Sequence, residues 1–98
     1  MKFIPDEPIH PGEILEQDFM ADFDLSPDLL AAALGVSPDA LRPVLVGASP
    51  LTAELALRLA RYFGNTPEFW LNLQRTFDLA LALKNVRDLD SIKPVSVA

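Results

Sequence analysis

The sequence predicts an all-α domain of five helices, with a helix-turn-helix unit running from Ser26 to about Gly47. Three observations lead there. Small polar residues followed by proline recur at Ser26-Pro27, Ser37-Pro38 and Thr66-Pro67, where the hydroxyl caps orphan N–H groups and a proline at the first helical position loses no bond. Gly35, Gly47 and Gly64 stand where helices are expected to stop, supplying the left-handed conformation of a C-terminal cap. Apolar residues return at helical spacing, and no stretch of useful length alternates at period two.

Each helix follows from that punctuation. His10-Pro11 opens the first, with Glu13 at the capping-box spacing, and Leu15, Phe19 and Phe23 share one face up to about Phe23. The second spans Pro27–Leu34 and the third about Pro38–Val46. Thr52 caps a fourth over Ala53–Phe63, whose inward face is Leu55, Ala56, Leu59, Ala60 and Phe63. The fifth covers about Pro67–Lys84, with Phe69, Trp70, Leu73, Phe77, Ala80 and Leu81 at helical spacing. Residues 1–9 are expected to form an N-terminal arm, 10–84 the domain and 85–98 a C-terminal arm, extended or disordered around Pro94.

Composition narrows the class. Half of the 98 residues are apolar, enough for one core without staples. There is no cysteine, which excludes disulfides, thiolate metal sites and a cysteine nucleophile. No apolar run approaches the roughly 20 residues that span a bilayer, and the first residues lack the apolar stretch of a secretory signal. A soluble, cytoplasmic protein without membrane contact is expected. Charge is unevenly spread. Residues 1–47 carry Lys2 and Arg42 against nine acids, whereas 48–98 carry six basic and five acidic residues. A free-standing nucleic-acid binder usually shows a basic stripe, yet here the helix-turn-helix lies in the acidic half.

Within residues 25–47, Leu30, Leu34, Leu41 and Leu45 make a buried seam, Ala31 is small where two helices cross, and Val36 points back to the core across the Gly35 turn. Such a pair is also a plain αα-hairpin; its place as helices two and three of five favours the helix-turn-helix. Three blocks then carry a resemblance: His10-Pro11-Gly12-Glu13-Ile14-Leu15, Leu34-Gly35-Val36-Ser37, and Ala56-Leu57-Arg58-Leu59-Ala60 followed by Pro67-Glu68-Phe69-Trp70-Leu71-Asn72-Leu73-Gln74. In this order and spacing the chain resembles the HigA-type (VapI-like) antitoxins, a branch of the Xre, lambda-repressor-like helix-turn-helix proteins. The resemblance implies a homodimeric repressor that binds its own operator DNA and neutralises a small, basic ribonuclease toxin. It places DNA contacts at Pro27, Ser37, Pro38, Asp39, Ala40, Arg42, Pro43 and Val46, and a dimer seam on the last long helix at Phe69, Trp70, Leu73, Phe77 and Leu81.

The departures matter as much as the match. Members often carry glutamine at the start of helix two and Arg, Thr, Ser or Asn on the exposed face of helix three; here Arg42 alone is a good DNA ligand, joined only by Arg58 or Arg61 if either faces the duplex. Asp39 is repelled by phosphate, although it can accept a bond from a cytosine amino group. Ala48 stands where a basic residue commonly follows the glycine. Pro43, sixth from Pro38, removes the bond to the Asp39 carbonyl, so the third helix is expected to kink or to begin late, near Pro43. Weak operator binding follows.

Other features have plain readings. His10 is the single histidine and is expected to cap the first helix; its neighbours have no metal-ligand spacing. Glu13, Glu16, Asp18, Asp22 and Asp24 form a solvated acidic face that also suits a basic partner. Trp70 taken alone is core, and Asn72 and Gln74 are surface or capping hydrogen-bonders. The broad apolar arc of the fifth helix argues for a partner on one side. With no nucleophile set, phosphate loop or metal cluster, neither enzyme activity nor a cofactor is expected. The principal expectation is an autorepressing antitoxin. The alternatives are a degenerate helix-turn-helix serving as a dimeric protein-interaction module, and a phage-type repressor without a toxin.

Overall fold

A computed structural model describes residues 7–96. Helix α1 spans Pro11–Ile14 and continues as wider π turns over Leu15–Met20; α2 spans Pro27–Leu34, α3 Pro38–Leu45, α4 Ala53–Phe63 and α5 Pro67–Asn85, followed by a 3₁₀ turn at Leu89–Ser91. The caps read from the sequence are formed. The N–H of Gly12 donates to His10 Nδ1 at 2.9 Å, Leu29 to Ser26 Oγ at 3.1 Å, Ala40 to Ser37 Oγ at 3.2 Å, Leu55 to Thr52 Oγ1 at 3.3 Å and Phe69 to Thr66 Oγ1 at 3.1 Å.

The first helix differs from its expectation. It ends at Met20 rather than near Phe23, because its second half is wound with i→i+5 bonds such as Ala21 N–H to the Glu16 carbonyl. Wider turns stack residues five apart. Leu15 and Met20 are therefore the buried pair, 0% and 3% exposed, while Phe23 is 64% exposed. Leu25 N–H closes the turn on the Met20 carbonyl, and Asp24 takes a positive φ of 53°, which Asp tolerates better than most residues.

The core joins Leu15, Leu30, Ala31, Leu41, Leu51, Ala56, Leu59 and Trp70, with the expected seam of Leu34 and Leu45 beside them. Three contacts fix the helix-turn-helix in this body. Gly35 adopts φ 75° between α2 and α3, a conformation costly for any residue with a Cβ. Arg58 of α4 donates to the Leu34 carbonyl at the end of α2, 2.8 Å, and to Glu54, locking α2 onto α4. Gly12 lies against α3 so tightly that a Cβ there would stand 1.9 Å from the Val44 carbonyl oxygen.

Gln74 corrects its surface assignment. It is buried; its Oε1 accepts from Leu51 N–H at 2.7 Å and its Nε2 donates to Asp78 at 2.9 Å. Leu51, in the α3–α4 connection, has no helical partner for its N–H, so α5 supplies one. Trp70 is fully buried among Phe19, Phe63 and Phe69, its indole N–H on Asn65 at 2.8 Å. Among the described residues no buried side-chain nitrogen or oxygen lacks a partner, and no helix is long and apolar enough to cross a membrane. Beyond Ala80 every described residue is exposed. The radius of gyration, 16.5 Å, accordingly exceeds the roughly 13 Å of a compact chain this long.

Candidate nucleic-acid interface

The two amino-terminal ends of α2 and α3 carry the candidate site. Each has a serine cap and a proline at the first helical position: Ser26-Pro27 and Ser37-Pro38. Half-buried Pro27 and Pro38 brace these ends, while Ser37, Asp39, Ala40 and Arg42 are exposed. Because Leu41, Val44 and Leu45 turn inward, the outer face of α3 consists of Asp39, Ala40, Arg42, the half-buried Pro43 and Val46, the last 78% exposed. The structure thus brings the DNA-contact residues implied by the resemblance onto adjoining surface.

Pro43 does not delay the helix. Ser37 holds the first turn so that α3 begins at Pro38 and passes through Pro43 to Leu45. The burial of Leu41, Val44 and Leu45 offsets the bond that Pro43 cannot donate, and the Pro43 carbonyl receives the N–H groups of Ala48 and Ser49 in the turn that follows.

Electrostatics follow from three side chains. The Arg42 guanidinium reaches across to α2 and meets Asp28 at 2.6 Å, although Asp39 lies three residues away on its own helix. Both partners are exposed, 51% and 68% by side chain, so this is a surface pair of small net energy, about 0.2–1 kcal/mol. Asp28 was not singled out by sequence reasoning. Its signal is weak: an acid in the first turn of a helix is ordinary, and only the folded pair of helices brings it to a residue 14 positions on. Of the α4 arginines, Arg58 binds the Leu34 carbonyl at the carboxyl end of α2 and lines a groove with Val36, Ala40 and Val44, and Arg61 lines a second groove with Ala33, Leu57 and Tyr62. Among the described residues no cluster of His, Asp or Glu is arranged to hold a metal.

Of the residues placed at a dimer seam by the resemblance, Phe69 and Leu81 are 38% and 41% exposed and Leu73 and Phe77 half-buried, Phe77 being edge-on to His10 at 5.0 Å. Trp70 differs from that expectation: wholly enclosed by its own aromatic cluster, it presents no surface. Exposed Leu79, Leu83 and Val86 extend the apolar surface of distal α5.

No protein-family model matches the chain. It is 41% identical over 88 residues to virulence-associated protein I of Dichelobacter nodosus, covering 90% of this chain and 82% of that protein. An addiction module antidote protein of the HigA family from Coxiella burnetii superposes with a TM-score of 0.85 at 42% identity, covering 91% of this chain and 99% of that one. A Pseudomonas aeruginosa protein crystallised with its 18-bp operator DNA superposes with a TM-score of 0.87 at 40% identity, covering 91% and 98%. With its helix-turn-helix, its capped and proline-braced helix ends, and matches of this extent, the chain belongs to the HigA-type, virulence-associated protein I-like family of helix-turn-helix antitoxins.

Proposed function

We propose that this protein is an autorepressing antitoxin: a homodimer that binds operator DNA through α2 and α3 and neutralises a cognate basic ribonuclease toxin. The observation that carries the DNA half is the superposition on a relative solved with its operator, together with the outward face of α3 in the present chain. In this reading the α3 face enters the major groove. Arg42 supplies the guanine- or phosphate-directed donors, Asp39 an acceptor suited to a cytosine amino group, and Val46 an apolar contact suited to a thymine methyl. The exposed acids Glu13, Glu16, Asp18, Asp22 and Asp24 steer a basic toxin. Exposed leucines on α5 supply the dimer seam. A DNA-binding role and the absence of a membrane-length helix among the described residues agree with a cytoplasmic site.

The operator-bound relative argues against a module that has abandoned DNA. The acidic surroundings of Arg42 still favour modest affinity, since phosphate neutralisation dominates binding. The test is a gel shift on DNA immediately upstream of the protein's own reading frame, with and without a toxin candidate co-purified from the adjacent frame. A selective shift that is weakened in Arg42→Ala, and altered by the toxin, is expected. Absence of any shift at low salt would remove the DNA half; failure of any neighbouring product to bind would remove the toxin half.

A further inference from the structure

Arg42 is the cation at the centre of the α3 face, and in the DNA-free protein it is already occupied. Its Nη2 lies 2.6 Å from Asp28 Oδ1, a short contact between a cationic donor and an anionic acceptor. Asp28 sits in the first turn of α2, behind the Ser26 cap, where the positive end of the helix dipole favours an anion. A DNA phosphate seeks that same environment, a helix amino terminus with an arginine beside it. We propose that Asp28 is a built-in competitor of DNA: its carboxylate stands in for a phosphate at the amino end of α2, holds Arg42, and sets the affinity of the reading face. This rests on the DNA-binding reading above.

The competition acts twice. To give its Nη2 to DNA, Arg42 must break the bond to Asp28, and the exposed carboxylate beside it faces a phosphate backbone that repels it. Because the pair is open to water, the exchange is a graded reduction of affinity rather than a block. Asp39, the other acid of the face, makes no bond to Arg42 and does not share this role.

Gel shifts on the upstream DNA and on random duplex of equal length, at one fixed salt concentration, test the proposal with Asp28→Asn, Arg42→Ala and the double variant. Asp28→Asn is expected to tighten binding roughly three- to tenfold, counting two sites per dimer, and the gain should shrink in the Arg42→Ala background, where only the repulsion of phosphate is relieved. Binding equal to or weaker than wild type overturns the proposal, the weaker result identifying Asp28 as a brace for Arg42 instead. A gain of the same size without Arg42 also overturns it, since that is a general effect of removing a negative charge. Circular dichroism melts confirm folding, and Asp28→Ser replaces Asp28→Asn should the latter unfold. If neither wild type nor Asp28→Asn shifts DNA at low salt, the DNA-binding reading falls and takes this proposal with it. Wild-type binding unchanged by Asp28→Asn sinks the proposal alone.

Discussion

Two residues in the family blocks act through contacts that their chemistry makes hard to replace. At Gly12 even a methyl group would enter the Val44 carbonyl oxygen, and neither partner is a flexible side-chain end. Gly12→Ala is expected to force α1 away from α3 and to lower stability by about 3 kcal/mol or more, read as the shift of a urea unfolding midpoint. At Gln74 the amide oxygen satisfies Leu51 N–H, and Leu51 is only 2% exposed. Gln74→Leu leaves that N–H buried without an acceptor, which costs about 1–3 kcal/mol. Hydrogen exchange supplies the specific readout: the Leu51 amide should lose protection more than amides in α2.

The helices show how local cost is absorbed by packing. Helix α3 carries a proline at a position that forfeits a bond to the Asp39 carbonyl, yet its cap and its buried Leu41, Val44 and Leu45 hold it from Pro38 onward. Pro43→Ala restores the donor and is expected to raise stability by about 1–3 kcal/mol, visible as a higher melting temperature; an unchanged or lower value would mean that the proline ring contributes more by packing than its missing N–H costs. Helix α5 presents the opposite situation. Its amino-terminal half is anchored by Trp70 and Gln74, while Leu79, Leu81 and Leu83 face water. In the dimer proposed above, Leu81→Asp should move the molar mass measured by light scattering from that of two chains toward one, with helicity retained in the anchored half.

Taken across the chain, charge limits affinity. The formal net charge is −6, and the outer face of α3 carries one guanidinium, Arg42, which is paired with Asp28, and the carboxylate of Asp39. Binding affinity is expected to fall with salt with a log–log slope of about −2 to −4, short of the roughly −5 to −9 that some 6–10 phosphate contacts produce. Titrating salt in the gel shift measures it, and a steep slope would point to cations outside the α3 face. The same negative charge favours rapid association with a basic partner, an effect that salt also weakens.

Sequence alone determined the all-helical class, four of the helices to within a residue or so, every serine and threonine cap, and the leucine seam of the helix-turn-helix. These are properties of short windows, where capping, proline and 3.6-residue periodicity act between near neighbours. It also exposed the poverty of DNA ligands on α3, because absence of basic residues needs no coordinates. Tertiary structure decided the rest. Packing selected Met20 over Phe23 by widening the turns of α1, enclosed Trp70, and turned Gln74 inward to serve the backbone of Leu51, 23 positions away. It also joined Arg42 to Asp28 across two helices. Such partners are set by how helices dock rather than by spacing along the chain, and the state of the reading face depends on one of them.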